Sequence, residues 1–354
     1  MNRNVFWQQT AVLYALFLSG ILFCGVPIDG DTFWTRILGM TLCFAGIWAL
    51  YRFFPARTNR SGTVSPIFSL AALILCLGFA CATLYSTASE MPTVSDTLSG
   101  GRFSHFFWIL SLLLSLYITR DGFDSLARLC LPLLPLLLFP LVLTWFSLLN
   151  YEGALPTVAI PHDWAFRLSY FRDGVTVLGT VLLYRAFTAG EKRQIGEEKS
   201  ERAAGTAAFF LFLLTFLAES AKYVLCFGAN GAAALARPDR ILLTLIPYIN
   251  IQDIFLLVYY FSFMLRLSVA VASVRKYTAD LSKNGGKIQK AVFNPLCTGA
   301  AVYAGFLLLC RFPVLYRFCL WTPLVLFVGK ALLFSAGGMK KAKKTSKKAF
   351  LSEK

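Results

Sequence analysis

The sequence predicts an all-α, polytopic membrane fold of about ten transmembrane helices, and three observations carry that prediction. First, 57% of the 354 residues are hydrophobic and only 15% are charged, with a mean hydropathy of +0.64. Soluble domains carry about 25% charged residues, and a core of this size cannot hide so much apolar surface; the surplus needs lipid. Second, the chain contains ten apolar stretches near the ~20 residues that a bilayer core requires. Third, the cations alternate between the loops, as the positive-inside rule demands.

The ten stretches fall at roughly 8–26, 33–54, 66–86, 103–119, 126–149, 164–187, 205–227, 241–272, 291–311 and 313–336. The eighth is long enough to tilt or break. The N-terminal MNRNVFWQQT carries one arginine and leads into an apolar run with no small-residue cleavage site. That run is expected to be retained as the first span.

With a cytoplasmic N-terminus, the inner segments hold Arg3; Arg52, Arg57 and Arg60; Arg120 and Arg128; the cations from Arg185 to Arg202; those from Arg275 to Lys290; and the lysines from Lys340 to Lys354. The outer loops hold only Arg102, Arg237, Arg240 and Arg311. They carry the acidic residues Asp29, Asp31, Glu90, Asp96, Glu152 and Asp163 instead. An even span count with both termini cytoplasmic follows, since one span more or fewer would scramble the alternation. The net charge of +16 is spread over loops and the tail KKAKKTSKKAF, where it suits anionic lipid. That spread argues against nucleic acid as a partner. The longest loop, near 188–204, is too short for a separate domain.

Ten spans divide into two five-span repeats, 1–150 and 151–337, followed by a basic cytoplasmic tail, 338–354. An odd number of spans per half inverts the second half, so spans one and six correspond.

Polar groups inside spans are costly and mark candidate sites. Span one contains Ser19-Gly20 and Gly25 ahead of Pro27. Tight helix packing and an unwound binding segment both account for them. In span six, Arg167, Arg172, Asp173 and Gly174 interrupt the outer half, and too few apolar residues remain below Gly174 for a full span. A broken helix is expected there; the alternative is an interfacial turn with Arg167 and Arg172 snorkelling. Glu219 and Lys222 of span seven share a helix face and are expected to neutralise each other as a structural pair at the outer boundary. Span eight contains Pro247, then Asn250, Gln252 and Asp253. Asn250 and Asp253 share a face, and Asp253 has no cation within four residues in sequence, so another helix must pair it, or it is hydrated or protonated. Arg266 is expected to snorkel from the inner end of that span. Interrupted helices at corresponding positions would point to a midplane site, with half-helix N-termini facing an anionic group.

No enzyme chemistry is indicated. There is no His–Asp–Ser set, and the run around Gly285-Gly286 lacks a phosphate-loop pattern. The cysteines lie in or at the ends of apolar runs without metal spacing, as small packing residues do. No metal and no cofactor are expected.

Four stretches resemble the B subunit of spore germinant receptors, the GerAB type, within the amino acid–polyamine–organocation (APC) transporter superfamily. They are DGDTFWTRILGMTLCFAGIWALYRFFP (29–55), YITRDGFDSLARLCLPLLPLLLFPLV (117–142), YEGALPTVAI (151–160) and ARPDRILLTLIPYINIQDIFLLVYYFSFML (236–265). In the second, Gly122 and Arg128 match the family's turn before span five, with Asp124 in the acidic place. The sequence departs in span eight, where an Arg-(hydrophobic)-acidic signature reads Ile251-Gln252-Asp253, and in span six, where Asp173 stands beside an unusual Arg172.

The resemblance implies a LeuT/APC-like five-plus-five inverted repeat. It also implies a nutrient-sensing membrane subunit in the spore inner membrane that works with an A-type membrane subunit and a C-type lipoprotein. On that reading, an amino acid or similar zwitterion sits between spans one, three, six and eight. Ser19, Gly20 and Ile21 offer backbone groups to its carboxylate, Asp173 or Asp253 meets its amine, and Gly174 and Asn250 lie beside them. The alternatives are a proton-coupled amino-acid permease and a structural membrane scaffold.

Overall fold

The computed structural model describes residues 3–24, 33–53, 66–90, 104–120, 123–149, 168–188, 195–234, 252–282, 295–330 and 332. Among them there is no strand. The helices are α1 (Arg3–Cys24), α2 (Phe33–Phe53), α3 (Pro66–Glu90), α4 (Ser104–Ile118), α5 (Phe123–Leu149), α6 (Leu168–Thr188), α7 (Ile195–Ala234), α8 (Gln252–Ser282), α9 (Pro295–Arg311) and α10 (Val314–Cys319). After a turn at Leu320-Trp321 the chain is helical again over 322–330. A helix therefore lies in each of the ten apolar stretches.

Among the described residues, four segments are long and apolar enough to cross a membrane: Ile67–Ala88, Ser125–Phe146, Arg202–Gly228 and Leu257–Ala279. Shorter apolar helices run over Phe6–Leu22, Thr35–Leu50, His105–Ile118 and Cys297–Arg311. The outer faces of several helices are apolar. Ile67, Leu70 and Ile74 on α3, Phe106 and Leu110 on α4, and Phe210, Leu214 and Leu217 on α7 are exposed, at helical spacing. In water this would be an aggregation-prone belt; in a bilayer it is the lipid-facing surface.

Several packing pairs form exchangeable sets, although α1 on α5 and α1 on α8 have no equally extensive counterpart among the described residues. α1 packs on α7 and α2 on α6; α4 packs on α8 and α3 on α9; α5 packs on α8 and α3 on α10. The pairs α1–α6, α2–α7, α3–α8 and α4–α9 also pack directly. Adding or subtracting five from each helix number maps these sets onto one another. At the centre lie α1, α3, α6 and α8, with Leu16, Leu18, Phe79, Val175, Phe263 and Leu265 almost wholly buried.

Two local details fix helix ends. Arg275 of α8 donates from Nη1 to the carbonyls of Thr119 (2.7 Å) and Leu116 (3.4 Å), a cation placed where α4 leaves its last carbonyls without intrahelical partners. Gly228 in α7 has φ 69° and ψ 166°, a conformation essentially confined to glycine, and it closes the apolar segment of that helix.

Candidate functional site

Sequence reasoning expects a broken α6 and leaves α1 open between tight packing and an unwound segment; over their described residues both helices are continuous. α1 runs unbroken through Ser19, Gly20 and Ile21. The Ser19 hydroxyl donates to the Leu16 carbonyl of its own helix, and Ser19 and Ile21 are buried. A Cβ on Gly20 would collide with the carbonyl oxygen of Val177 and lie 3.0 Å from its carbonyl carbon. Glycine serves here to bring α1 against the α6 backbone, which is the packing alternative. Among the described residues the backbone of Ser19, Gly20 and Ile21 runs within a continuous helix, with no half-helix N-terminus there.

α6 is continuous from Leu168 to Thr188. Its charged run does not break it, because α2 supplies a partner: Arg36 Nη2 lies 2.5 Å from Asp173 Oδ2, and Arg172 Nη2 lies 3.3 Å from Asp173 Oδ1. These groups are mostly buried, with side-chain exposures of 14% for Arg36 and 15% for Asp173. Among the described residues one carboxylate thus meets two guanidiniums. Gly174 beside it is another close approach, since a Cβ there would fall 2.8 Å from Cys43 Sγ. Arg36 is a residue that sequence reasoning missed. A charge inside the second apolar stretch was the signal that could have found it.

Arg266 also departs from expectation. It does not snorkel; it is 1% exposed at the middle of α8. Its Nη2 donates to the Thr176 carbonyl at 2.9 Å and its Nη1 to the Val177 carbonyl at 3.5 Å, and the guanidinium lies 5.5 Å from the Phe79 ring centroid. The Val177 carbonyl that Gly20 abuts is therefore also one that Arg266 reaches. Helices α1, α3, α6 and α8 meet at this point, and it is the most deeply placed charge that the described residues bring to the α1–α6 contact. Beyond it, towards the N-terminal end of α6, Phe171 stacks on Trp321 at 5.8 Å and Tyr85 meets Tyr316 at 5.0 Å.

Glu219 and Lys222 do pair, and they are buried in the bundle rather than at a wet boundary, at 1% and 0% exposure. Lys222 Nζ donates to Glu219 Oε2 and, at 2.5 Å, to Thr144 Oγ1 of α5. One helix turn away the hydroxyls of Tyr14 on α1 and Thr215 on α7 lie 2.6 Å apart. This polar seam joins α1, α5 and α7. Among the described residues no group of His, Cys, Asp and Glu side chains could hold a metal ion.

Asn250, with Pro247, lies outside the described residues, as does the side chain of Asp253; the backbone places Asp253 in the first turn of α8.

A cavity lies among α1, α2, α6 and α7, with an empty volume of about 410 Å³ that includes its open mouth. Its walls are apolar apart from Arg185.

Comparison with known proteins finds no match to any family model and none to a curated protein.

Proposed function

We propose that this chain is a ten-span membrane subunit with a five-plus-five inverted repeat, cytoplasmic termini and a transporter-like sensing role. It binds an amino acid or similar zwitterion at mid-membrane and signals to partner subunits, as the resemblance to B-type germinant receptor subunits implies. The repeat is supported by the packing sets that exchange when helix numbers shift by five. The sensing role is supported by one observation above the others, the arginine buried at the crossing of α1, α3, α6 and α8. A full charge inside a membrane is costly and marks a candidate site.

Recognition then differs from the broken-helix scheme. The ligand carboxylate is received by the Arg266 guanidinium, whose planar donors suit bidentate contact. The amine is received by Asp173 or Asp253. A carboxylate drawing Arg266 away from the Thr176 and Val177 carbonyls would loosen α6 from α8, and differential affinity of about 1.4 kcal/mol would shift such a two-state equilibrium tenfold. The A-type subunit and the C-type lipoprotein would read that shift.

The test is a panel of amino acids on the purified chain, alone and with co-expressed partners, followed by thermal shift and radioligand binding. Saturable binding of one or a few members, weakened at least tenfold by Arg266→Gln but retained by an exposed control such as Leu214→Ala, is the expected result. No saturable binding with or without partners would remove the sensing proposal.

The buried Glu219–Lys222–Thr144 seam favours a second reading, a proton-coupled amino-acid permease, because a buried carboxylate can carry a coupling proton. Uptake by proteoliposomes containing this chain alone would select it over the sensor.

A further inference from the structure

We infer that the amino acid received at the crossing of α1, α3, α6 and α8 is an acidic one, and that Arg172 of α6 takes its side-chain carboxylate. The inference rests on the sensing reading above and adds the substrate class to it.

Arg172 has donors to spare. Among the described residues its contact is a single long one, from Nη2 to Asp173 Oδ1 at 3.3 Å. Hydrogen bonds between ionised partners are normally about 2.7–2.9 Å long. Its Nε is buried and makes no hydrogen bond among the described residues, while the side chain as a whole is 32% exposed. A guanidinium so placed is partly withdrawn from water without the acceptors that would offset the loss. Its planar fork of N–H groups is suited to grip a carboxylate at both oxygens.

Asp173 gives the route by which a ligand joins the pair. Its Oδ2 is held by Arg36 at 2.5 Å, and its Oδ1 has only the longer Arg172 contact among the described residues. A ligand ammonium displaces Arg172 from Oδ1, and Arg172 turns to the ligand's second acid group. Arg36, still on Oδ2, offsets the Asp173 charge that would otherwise repel that acid.

The placement of the two arginines agrees. Arg266 donates to the Thr176 carbonyl at 2.9 Å, and the Thr176 hydroxyl donates to the Arg172 carbonyl at 2.9 Å. They therefore meet one turn of α6 from its two ends, about 6 Å apart along the axis. Both guanidiniums lie within electrostatic reach of the Tyr316 hydroxyl. An α-amino dicarboxylate carries two carboxylates and one ammonium, the complement of Arg266, Arg172 and Asp173. A neutral amino acid leaves the Arg172 donors without an acceptor. A site built to hydrogen-bond a ligand group rejects analogues that lack it far more strongly than an apolar pocket rejects a missing methylene.

The experiment measures radioligand binding to the full chain, with and without co-expressed partners. L-glutamate and L-aspartate are compared with L-glutamine and L-asparagine, and L-alanine is the small neutral reference. At least one acid should bind about tenfold or more tighter than its amide. Arg172→Gln should bring that acid and its amide within about threefold of each other and leave amide binding in place. Arg172→Lys, which keeps the charge and loses the fork, should retain an intermediate preference and serves if Arg172→Gln does not fold. Amides or alanine bound as well as the acids, or an acid preference unchanged in both variants, would overturn the assignment and leave the sensing role standing. Absence of saturable binding by any amino acid removes both, so the two failures are told apart.

Discussion

A side-chain carbon placed on Gly20 of α1 would collide with the carbonyl oxygen of Val177 on α6. The obstacle is backbone inside an intact helix, which cannot swing aside as a flexible side chain does. Gly20→Ala should therefore force α1 and α6 apart, at a cost of about 1–3 kcal/mol or more. Thermal unfolding in detergent checks this. Gly46→Ala, on α2 with nothing within 4 Å of its added carbon, is the neutral control.

Lys222→Met should destabilise strongly, because it leaves the Glu219 carboxylate buried without its cation; removing one partner of a buried pair costs about 3–5 kcal/mol. Glu219→Gln in the same chain should recover a large part of that loss. A double variant as unstable as the sum of the two single variants would show that the pair does not act as a unit.

Asp173→Asn should remove the charge that the Arg36 guanidinium meets at 2.5 Å, and Arg36→Gln should do the converse. A double-mutant cycle on this pair is expected to give a coupling of about 1–3 kcal/mol. The Arg172 contact, longer and more exposed, should give well under half of that coupling.

Gly228→Ala should cost about 1–3 kcal/mol through backbone strain alone, since φ 69° with ψ 166° is closed to alanine. The variant should melt early while keeping its helix content by circular dichroism.

Helix placement was legible in the sequence to a high degree. The second apolar stretch, 33–54, became Phe33–Phe53, and the ninth, 291–311, became Pro295–Arg311. Length and hydropathy set those limits without help from tertiary structure. Partners between helices were not legible, whereas the i,i+3 pair Glu219–Lys222 was. Asp173 finds Arg36 across 137 residues of sequence, and without that partner its charged run reads as a helix break. Arg266 was misplaced for a geometric reason. With span eight drawn over 241–272, it stands near an inner end; with α8 running from Gln252 to Ser282, it stands at the middle. Glycine carried two meanings in sequence, and only the position of Val177 decides between them at Gly20.

The Arg275 link has a consequence for biogenesis. Insertion proceeds from the N-terminus, and α4 leaves the ribosome well before α8. The carbonyl of Thr119 must wait for a donor that lies 156 residues further along the chain. Until then that helix end has to be shielded by lipid headgroups, by water or by the insertion machinery. The end of α4 therefore gains this donor only once α8 is in place, and a chain truncated before α8 should expose that end to hydrogen exchange.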